Sequence, residues 1–250
     1  MTIDEVYKLV QTFANKEQRG FITPSEFNLL AKQAELELYN KRLSIIKEKA
    51  PTRRSQGIYG EGLSPEVAKQ DISRFLIITR RNTSNSSQSY IGAEFSLECD
   101  YLEAIMHSHD ESFNVASNIP IEIVEAKDVN QVLRSSLVSP SMTYPIALMT
   151  KASTMRNKIV YVSVTLNIFP ENISEVVLYY YLYDNLNSPN WSYATVAGKP
   201  VYDVTSSRQF SIAPRVHGEL VIKILEYLGV TIREADVVQY AQGSELKADS

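Results

Sequence analysis

The pattern of apolar and polar positions divides the chain into helical ends and a strand-rich middle. At the amino-terminal end, two apolar stripes recur every three or four residues: Ile3, Val6, Tyr7, Val10, Phe13 and Ala14, then Phe27, Leu30, Ala31, Ala34 and Leu38. This spacing is typical of amphipathic helices. We expect two helices that meet in an αα-hairpin, with Thr2 or Asp4 capping the first and Gly20 in the turn between them.

The start and end of the second helix are both marked in the sequence. Thr23 precedes Pro24, and Glu26 occupies the third helical position. A hydroxyl cap, a proline at the first position and a glutamate at the third position together form a capping box. Pro51 predicts that the helix ends near Lys49, because proline cannot continue a helix.

Residues 15–26 also allow a competing interpretation as a calcium-binding EF-hand loop. Gly20 and Glu26 fall at the sixth and twelfth positions of that loop, as the motif requires. Asn15 and Arg19, however, occupy the first and fifth positions, and arginine offers no oxygen to a calcium ion. We therefore expect a helix start here and no calcium site.

The carboxyl-terminal end returns to helical spacing. A helix is expected from Arg215 to Leu228, with Gly229 ending it, because its apolar stripe consists of Leu220, Val221, Ile224, Leu225 and Leu228. Thr231 and Glu234 form a further capping box, which predicts a short final helix. Residues 243–250 are polar and are expected to be a mobile tail.

The middle of the chain is rich in β-branched and aromatic residues that alternate with polar ones. Strands with antiparallel pairing are expected near residues 75–78, 90–97, 101–106, 119–126, 159–166 and 176–183. A short helix capped by Asp128 is expected at 128–133, and turns are expected at 167–170 and 185–189. Residues 52–70 show no sustained period and are expected to form a long loop.

These elements together predict an α+β fold. The N- and C-terminal helices would pack as a small bundle, and an antiparallel β-rich region would be inserted between them. The expected organisation is a helical part at 1–51 and 214–242, a β-rich part at 52–213 that begins with the long loop, and the tail at 243–250.

Composition limits the possible functions. Cys99 is the only cysteine, so no internal disulfide can form. No run approaches the roughly 18 apolar residues of a membrane span, and the first residues lack the apolar region of a signal peptide. A net charge of −4 argues against nucleic-acid binding by bulk charge. The 15 tyrosines suit strands and interfaces, where one end of the side chain stays wet.

Candidate catalytic groups are few. His107 and His109 lie in the segment HSHDE, but no second cluster of histidine or cysteine completes a metal site, so a solvated turn is the preferred interpretation. The glycine-rich residues 57–62 lack the spacing of a phosphate-binding loop. Cys99 has no evident base, and His217 is expected at a helix start. We therefore expect no enzyme, no catalytic residue, no metal and no cofactor.

Several segments resemble virion proteins of crAss-like and related tailed bacteriophages. They are ANKEQRGFITPSEFNLLAKQAELELYNKRL at 14–43, VNQVLRSSLVSPSMTYPIALM at 129–149, IFP at 168–170, and HGELVIKILEYLGVTIREADVVQYAQ at 217–242. The resemblance covers nearly the whole chain and is weakest between residues 52 and 115. The segment YYYLYDNLNSPNW at 179–191 departs from it, because relatives carry a basic segment there.

The resemblance implies a structural protein that forms a closed ring, dodecameric in the family, in the head–tail connector or tail barrel. Its partners would be further copies of itself, a neighbouring ring, the portal or other tail proteins, and DNA that passes without specific binding. It would be made in the host cytoplasm, reside in the virion and contact no membrane. The alternative from a different class is a phage adhesin or carbohydrate-binding β module.

A ring needs surfaces that contact neighbouring subunits. A basic run and three aromatic residues are the candidates for these contacts: Lys41, Arg42, Lys47, Arg53, Arg54, Tyr179, Tyr181 and Trp191. We expect the basic run to face an acidic protein surface, because a passage that gripped DNA phosphates would hinder ejection. The loop at 52–70 is expected to become ordered against a neighbouring subunit.

Overall fold

A computed structural model gives the fold. It describes residues 1–16, 22–49, 64–82, 93–108, 118–137, 139–156, 159–170, 172–173, 175–184, 187–196 and 199–229. The chain divides into two compact units. We call Met1–Phe75 with Tyr183–Ser250 the helical unit, and Leu76–Leu182 the β unit.

The elements confirm a mixed α+β fold. The described helices are α1 (Ile3–Lys16), α2 (Pro24–Lys49), α3 (Pro65–Asp71), α4 (Ala126–Arg134) and α5 (His217–Tyr227), with 3₁₀ helices at Ser73–Phe75 and Pro214–Val216. The described strands are β1 (Leu76–Asn82), β2 (Ala93–Glu98), β3 (Tyr101–Ser108), β4 (Asn118–Pro120), β5 (Glu122–Val124), β6 (Ile146–Arg156), β7 (Ile159–Phe169), β8 (Glu175–Tyr181), β9 (Tyr193–Val196) and β10 (Lys199–Tyr202).

Both amino-terminal helices begin with a capping box. The Thr23 amide donates to Glu26 Oε2 at 2.9 Å, and the Glu26 amide donates to Thr23 Oγ1 at 3.3 Å. Thr2 and Glu5 exchange the equivalent bonds at 2.8 and 3.3 Å, so Thr2 rather than Asp4 caps α1. These bonds satisfy amide groups that a helix leaves without partners at its start. The capping box predicted at Thr23 is therefore confirmed.

Residues 64–71 correct the expected long loop. They include α3, whose Ser64 hydroxyl accepts a hydrogen bond from the Val67 amide at 3.3 Å and whose Pro65 opens the helix. Ala68 and Asp71 are buried, and α3 contacts α2. Residues 64–70 are therefore ordered by contacts within their own unit and need no neighbouring subunit. Residues 51–63 lie outside the described residues.

The helix α5 is shorter than expected but ends as predicted. A 3₁₀ turn at Pro214–Val216 precedes it, and His217 is its first residue. Gly229 has a φ of 70°, which an L side chain rarely adopts, so a glycine is favoured at this position. The helix α5 contacts both α1 and α2. The helix expected after Thr231 and the tail at 243–250 lie outside the described residues.

The β unit contains two four-stranded sheets. Their strand orders are β1-β8-β3-β4 and β2-β7-β6-β5. A single apolar core cluster takes residues from both sheets, including Ile105 of β3, Leu166 of β7 and Leu178 of β8, so the two sheets share one core. The helix α4 packs Val129 against Ile146 of the second sheet.

Several strand boundaries differ from those expected. The pairing is antiparallel as predicted, except that β5 runs parallel to β6. The strand expected at 119–126 is two short strands, and α4 begins at Ala126 with Glu125 at its N-cap and no side-chain cap from Asp128. Residues 167–169 belong to β7 rather than to a turn. The strands β6, β9 and β10 were not predicted.

The two units also differ from the expected domain boundaries at 51 and 214. Residues 64–75 and 183–213 join the helical unit, because they pack with its helices through α3 and through the chain around Trp191.

Candidate interaction surfaces

Four charged side chains of the helical unit form a cluster between α2, α3 and α5. Asp71 accepts from Arg42 Nε on one carboxylate oxygen at 2.8 Å and from Arg215 Nε on the other at 2.6 Å. Arg42 Nη2 also reaches Glu219 Oε1 at 2.7 Å. Arg42 and Asp71 are 3% and 2% exposed, so each neutralises the other away from water.

This cluster removes Arg42 from the basic surface that the sequence predicted. Its guanidinium is directed at Asp71 and Glu219 inside its own unit. Arg42 follows Leu38 and precedes Ile46 at spacings of four, so it lies on the buried stripe of α2. That spacing was readable in the sequence, but the two acidic partners lie 29 and 177 residues away.

Glu35 is a buried carboxylate that was not among the residues predicted from the sequence. Its Oε1 accepts hydrogen bonds from the amides of Ser211 at 2.6 Å and Ile212 at 3.1 Å, and the Tyr183 hydroxyl lies 3.4 Å from Oε2. Burial raises the pKa of Glu35 above its ordinary value, although the two amides act against that rise. The carboxylate holds the segment before α5 against α2. In the sequence, the position of Glu35 next to Ala34 on an apolar stripe could have indicated that Glu35 is buried.

Trp191 is buried at the side of α1 and α2. Its indole Nε1 donates to Asp4 at 3.1 Å, and its amide donates to Asn28 Oδ1 at 2.6 Å. The ring lies 4.2 Å from that of Tyr7 and stacks on Tyr202 at 5.8 Å between ring centroids. Trp191 is 3% exposed and contacts its own chain, so it does not present a ring face to a neighbouring subunit.

The other predicted contact residues lie in different environments. Lys41 is exposed with its Nζ 3.8 Å from Glu219, and Lys47 is exposed on the same helix. Tyr181 is buried in the β unit, where burial and the nearby Glu103 raise its pKa. Tyr179, its neighbour on β8, is half-buried. Arg53 and Arg54 lie outside the described residues.

An aromatic groove in the helical unit has a volume of about 650 Å³. Trp191 and Tyr202 line it, together with Lys8 and Asp4, whose side chains form an ion pair at 2.6 Å. On the neighbouring hairpin, Tyr193 is 49% and Val201 is 48% exposed.

An acidic groove in the β unit is larger, at about 960 Å³. It lies beside β5 and is lined by three carboxylates, Glu122, Glu125 and Asp128, of which Glu125 forms an ion pair with Lys127 at 2.9 Å. Ile123 and Tyr144 add an apolar surface and are 37% and 77% exposed.

Some of the candidate metal-binding residues from the sequence lie in the described part of the chain. His107 is buried in β3 with its Nδ1 3.3 Å from the carbonyl of Glu175, so it does not lie in a solvated turn as expected. His109 and residues 57–62 lie outside the described residues. Within the ranges that the structure describes, no three histidine, cysteine or acidic side chains converge to hold a metal ion. Residues 17–21 of the segment considered as an EF-hand loop lie outside the described residues. In the described part of that segment, Thr23 and Glu26 form hydrogen bonds with each other at the start of α2.

Comparison with family models and with curated proteins gave no match to this chain. Among the described helices, none combines the length and apolar character that crossing a membrane requires.

Proposed function

We propose that this protein is a structural subunit of a phage head–tail connector or tail barrel, and that its copies form a closed, dodecameric ring around the DNA passage in the virion. The observation that carries the proposal is that both units expose apolar surface of different composition. Tyr193, Val201 and Val204 are exposed in the helical unit, and Ile123 and Tyr144 are exposed in the β unit.

A ring of identical subunits requires this kind of asymmetry. Each subunit meets one neighbour with one surface and the other neighbour with a different surface, and the contact repeats until the rotation closes. Exposed aromatic and aliphatic residues provide the contact area that such interfaces bury. The resemblance of the helical ends to connector proteins supports the same assignment.

In this proposal the terminal helices act as a small bundle that meets neighbouring tiers. The bundle consists of α1, α2 and α5, and the buried contacts of Arg42 and Glu35 keep α2 in register with the chain before and within α5. Lys41 and Lys47 would face an acidic surface of a neighbouring ring or of the portal. DNA would pass without specific binding, because repeated phosphate contacts would slow its movement.

Reversing the charge of Lys47 and Arg53 tests this part of the proposal. Lys47→Glu with Arg53→Glu should block stacking of assembled rings and leave duplex DNA binding negligible before and after, as measured by electron microscopy and by fluorescence anisotropy. Lys47→Arg with Arg53→Lys is the matched control and should stack normally. Sub-micromolar duplex binding by the unchanged protein in physiological salt would contradict the assignment of the basic run.

Carbohydrate binding is a second candidate function, and the aromatic groove favours it. An aromatic side chain beside a carboxylate and an amine can stack on a sugar ring and bond its hydroxyl groups. Trp191 is 3% exposed, so a sugar would stack on the half-buried ring of Tyr202 rather than on that of Trp191. Titration of Trp191 fluorescence with host-surface oligosaccharides decides the matter: saturable quenching that Tyr202→Ala abolishes would establish binding.

A further inference from the structure

We propose that residues 210–217 form an acid-sensitive switch, which holds the start of α5 against α2 at neutral pH and opens when His217 gains a second ring proton. We call residues 210–217 the switch segment. It lies within the helical unit of a single copy. The switch therefore belongs to one copy of the chain and does not depend on a ring.

Hydrogen bonds from neighbouring elements hold the backbone of the switch segment. The carboxylate of Glu35 on α2 accepts from the amides of Ser211 and Ile212. The amide of Ala213 donates to the carbonyl of Asp71, the last residue of α3, at 2.9 Å. These three bonds attach the chain before α5 to α2 and α3, so the start of α5 stays in place while they are formed.

His217 closes the switch segment onto α5. Its Nε2 lies 3.3 Å from the carbonyl oxygen of Ile212. Because a carbonyl can only accept a hydrogen bond, the proton of the neutral ring lies on Nε2, and Nδ1 carries none. The side chain is 4% exposed, and its ring meets that of Phe210 edge to face, with 5.5 Å between the ring centroids. The closed segment thus accommodates a neutral imidazole.

The closed segment does not accommodate a second ring proton. This proton would bind to Nδ1 of His217, which is buried and has no hydrogen-bond partner among the described residues. A buried N–H without an acceptor is costly, and a buried charge without a counter-charge is more costly still. His217 is also the first residue of α5, where the helix dipole disfavours a positive charge. The charged ring can satisfy Nδ1 only by reaching water, which requires the segment to open.

The charged groups that act on the imidazole add to this cost. Burial is the main cause that lowers the pKa of His217, and the positive amino group of Met1 and the guanidinium of Arg74 lower it further. The backbone of Ile212 and of Met1 acts in the opposite direction. Both charges near the ring are therefore of the same sign as the protonated ring.

Acidic side chains of the surrounding helices bond to other groups and do not bond to the imidazole. They are Glu5 of α1 with the Thr2 amide, Glu35 of α2 with the amides of Ser211 and Ile212, Asp71 of α3 with Arg42 and Arg215, and Glu219 of α5 with Arg42. The protonated ring thus gains no ion pair from these four carboxylates.

Glu35 responds to acid in the opposite sense to His217. Burial raises the pKa of Glu35, so its contribution to the closed state is lost as the pH rises through that pKa and is regained as the pH falls. Burial lowers the pKa of His217, so its contribution is present above pH 6.5 and is lost as the pH falls. The acid response of the unchanged chain is the difference between the two, and substitution of either residue separates them.

Hydrogen exchange of the backbone amides at pH 7 and pH 5, expressed as protection factors, measures opening of residues 210–220. His217→Gln keeps a donor for the Ile212 carbonyl and removes the titrating ring. Acidification should lower the protection of the unchanged chain at least about threefold more than that of His217→Gln, because only the opened chain takes up the second ring proton freely. Equal responses of the two proteins would overturn the proposal.

Two further variants serve as controls. His107→Gln removes a buried histidine of the β unit and should leave the acid response of residues 210–220 as in the unchanged chain. Glu35→Gln should enlarge the loss of protection, because the opposing titration is removed. A loss that Glu35→Gln abolishes would assign the response to Glu35 and overturn the proposal.

Nuclear magnetic resonance of the unchanged chain tests the switch without relying on a folded His217 variant. The chain has three histidines, so comparison with the single variants assigns the ring signal of His217. Its titration midpoint should lie below 6.5, the ordinary pKa of histidine. A midpoint at or above 6.5 would show that the closed segment accommodates the charged ring, and would overturn the proposal.

Discussion

The helical unit and the β unit are stabilised by different interactions. In the helical unit, the buried charges Arg42, Asp71 and Glu35 join segments that are far apart in sequence. In the β unit, an apolar core shared by two sheets provides the stability, and strands such as β5 leave an edge unpaired among the described residues. Buried charges favour one arrangement of helices, whereas open edges leave a sheet able to accept another strand.

Among the substitutions that test this difference, Asp71→Ala should cause the largest loss of unfolding free energy. Asp71→Ala leaves Arg42 buried without its partner and should cost about 3–5 kcal/mol of unfolding free energy. Urea denaturation followed by the fluorescence of Trp191, which lies in the same unit, measures the loss. Glu48→Ala removes an exposed acid of α2 and should change stability by less than about 0.5 kcal/mol. A loss below about 1 kcal/mol for Asp71→Ala would show that the buried pair is not important for stability.

Truncating a core residue of the β unit should have the next largest effect. Leu178 is fully buried on β8, the strand that lies between β1 and β3. Leu178→Ala should cost about 3 kcal/mol through lost contacts and a cavity. Ile78 on β1 is 57% exposed and serves as the control, with an expected loss below about 1 kcal/mol for Ile78→Ala. Denaturation followed by far-UV circular dichroism compares the two, and equal losses would contradict the assigned core.

The N-cap of α2 should contribute less to the free energy of unfolding than Asp71 or Leu178. Thr23→Ala removes the hydroxyl that accepts from the Glu26 amide and should cost about 1 kcal/mol. Thr12→Ala is the matched change inside α1, where the Thr12 hydroxyl bonds to the Lys8 carbonyl at 2.8 Å. Since alanine favours a helix interior, Thr12→Ala should be neutral or stabilising. Thermal melts of both variants test the capping box, and equal effects would argue against it.

His217 predicts a smaller, pH-dependent effect in the helical unit. It is 4% exposed, and this burial lowers its pKa below the ordinary 6.5. The unfolded chain therefore binds more protons just below that pH, so stability is present above pH 6.5 and is lost as the pH falls through the lower folded-state pKa. His217→Gln should reduce this acid loss, as measured by urea denaturation between pH 7 and 5. An unchanged slope would contradict the prediction.

The sequence predicted the features that depend on neighbouring residues. The capping box at Thr23, the helical stop at Gly229 and the tyrosine-rich strand β8 each follow from local propensity and local hydrogen bonds. The strand β6 was not predicted, because its segment TKASTMR lacks alternation of apolar and polar residues. Its pairing with β7 over its whole length explains why it is nevertheless a strand.

The candidate surfaces were less predictable, because charge alone does not reveal burial. Lys41 and Arg42 are adjacent and both basic, yet one is exposed and the other is buried against Asp71. The acidic groove depends on the parallel pairing of β5 with β6, which short strands do not signal in advance. Contacts between segments that are distant in sequence determine both the burial of Arg42 and the position of the acidic groove.

Electron microscopy of the virion that contains this protein tests the central claim most directly. The proposed function predicts a closed ring of identical copies around the DNA passage, with neighbouring tiers above or below it. Counting the subunits in that ring also decides the dodecameric symmetry. A particle in which the protein is monomeric and peripheral, away from the DNA passage, would contradict the account.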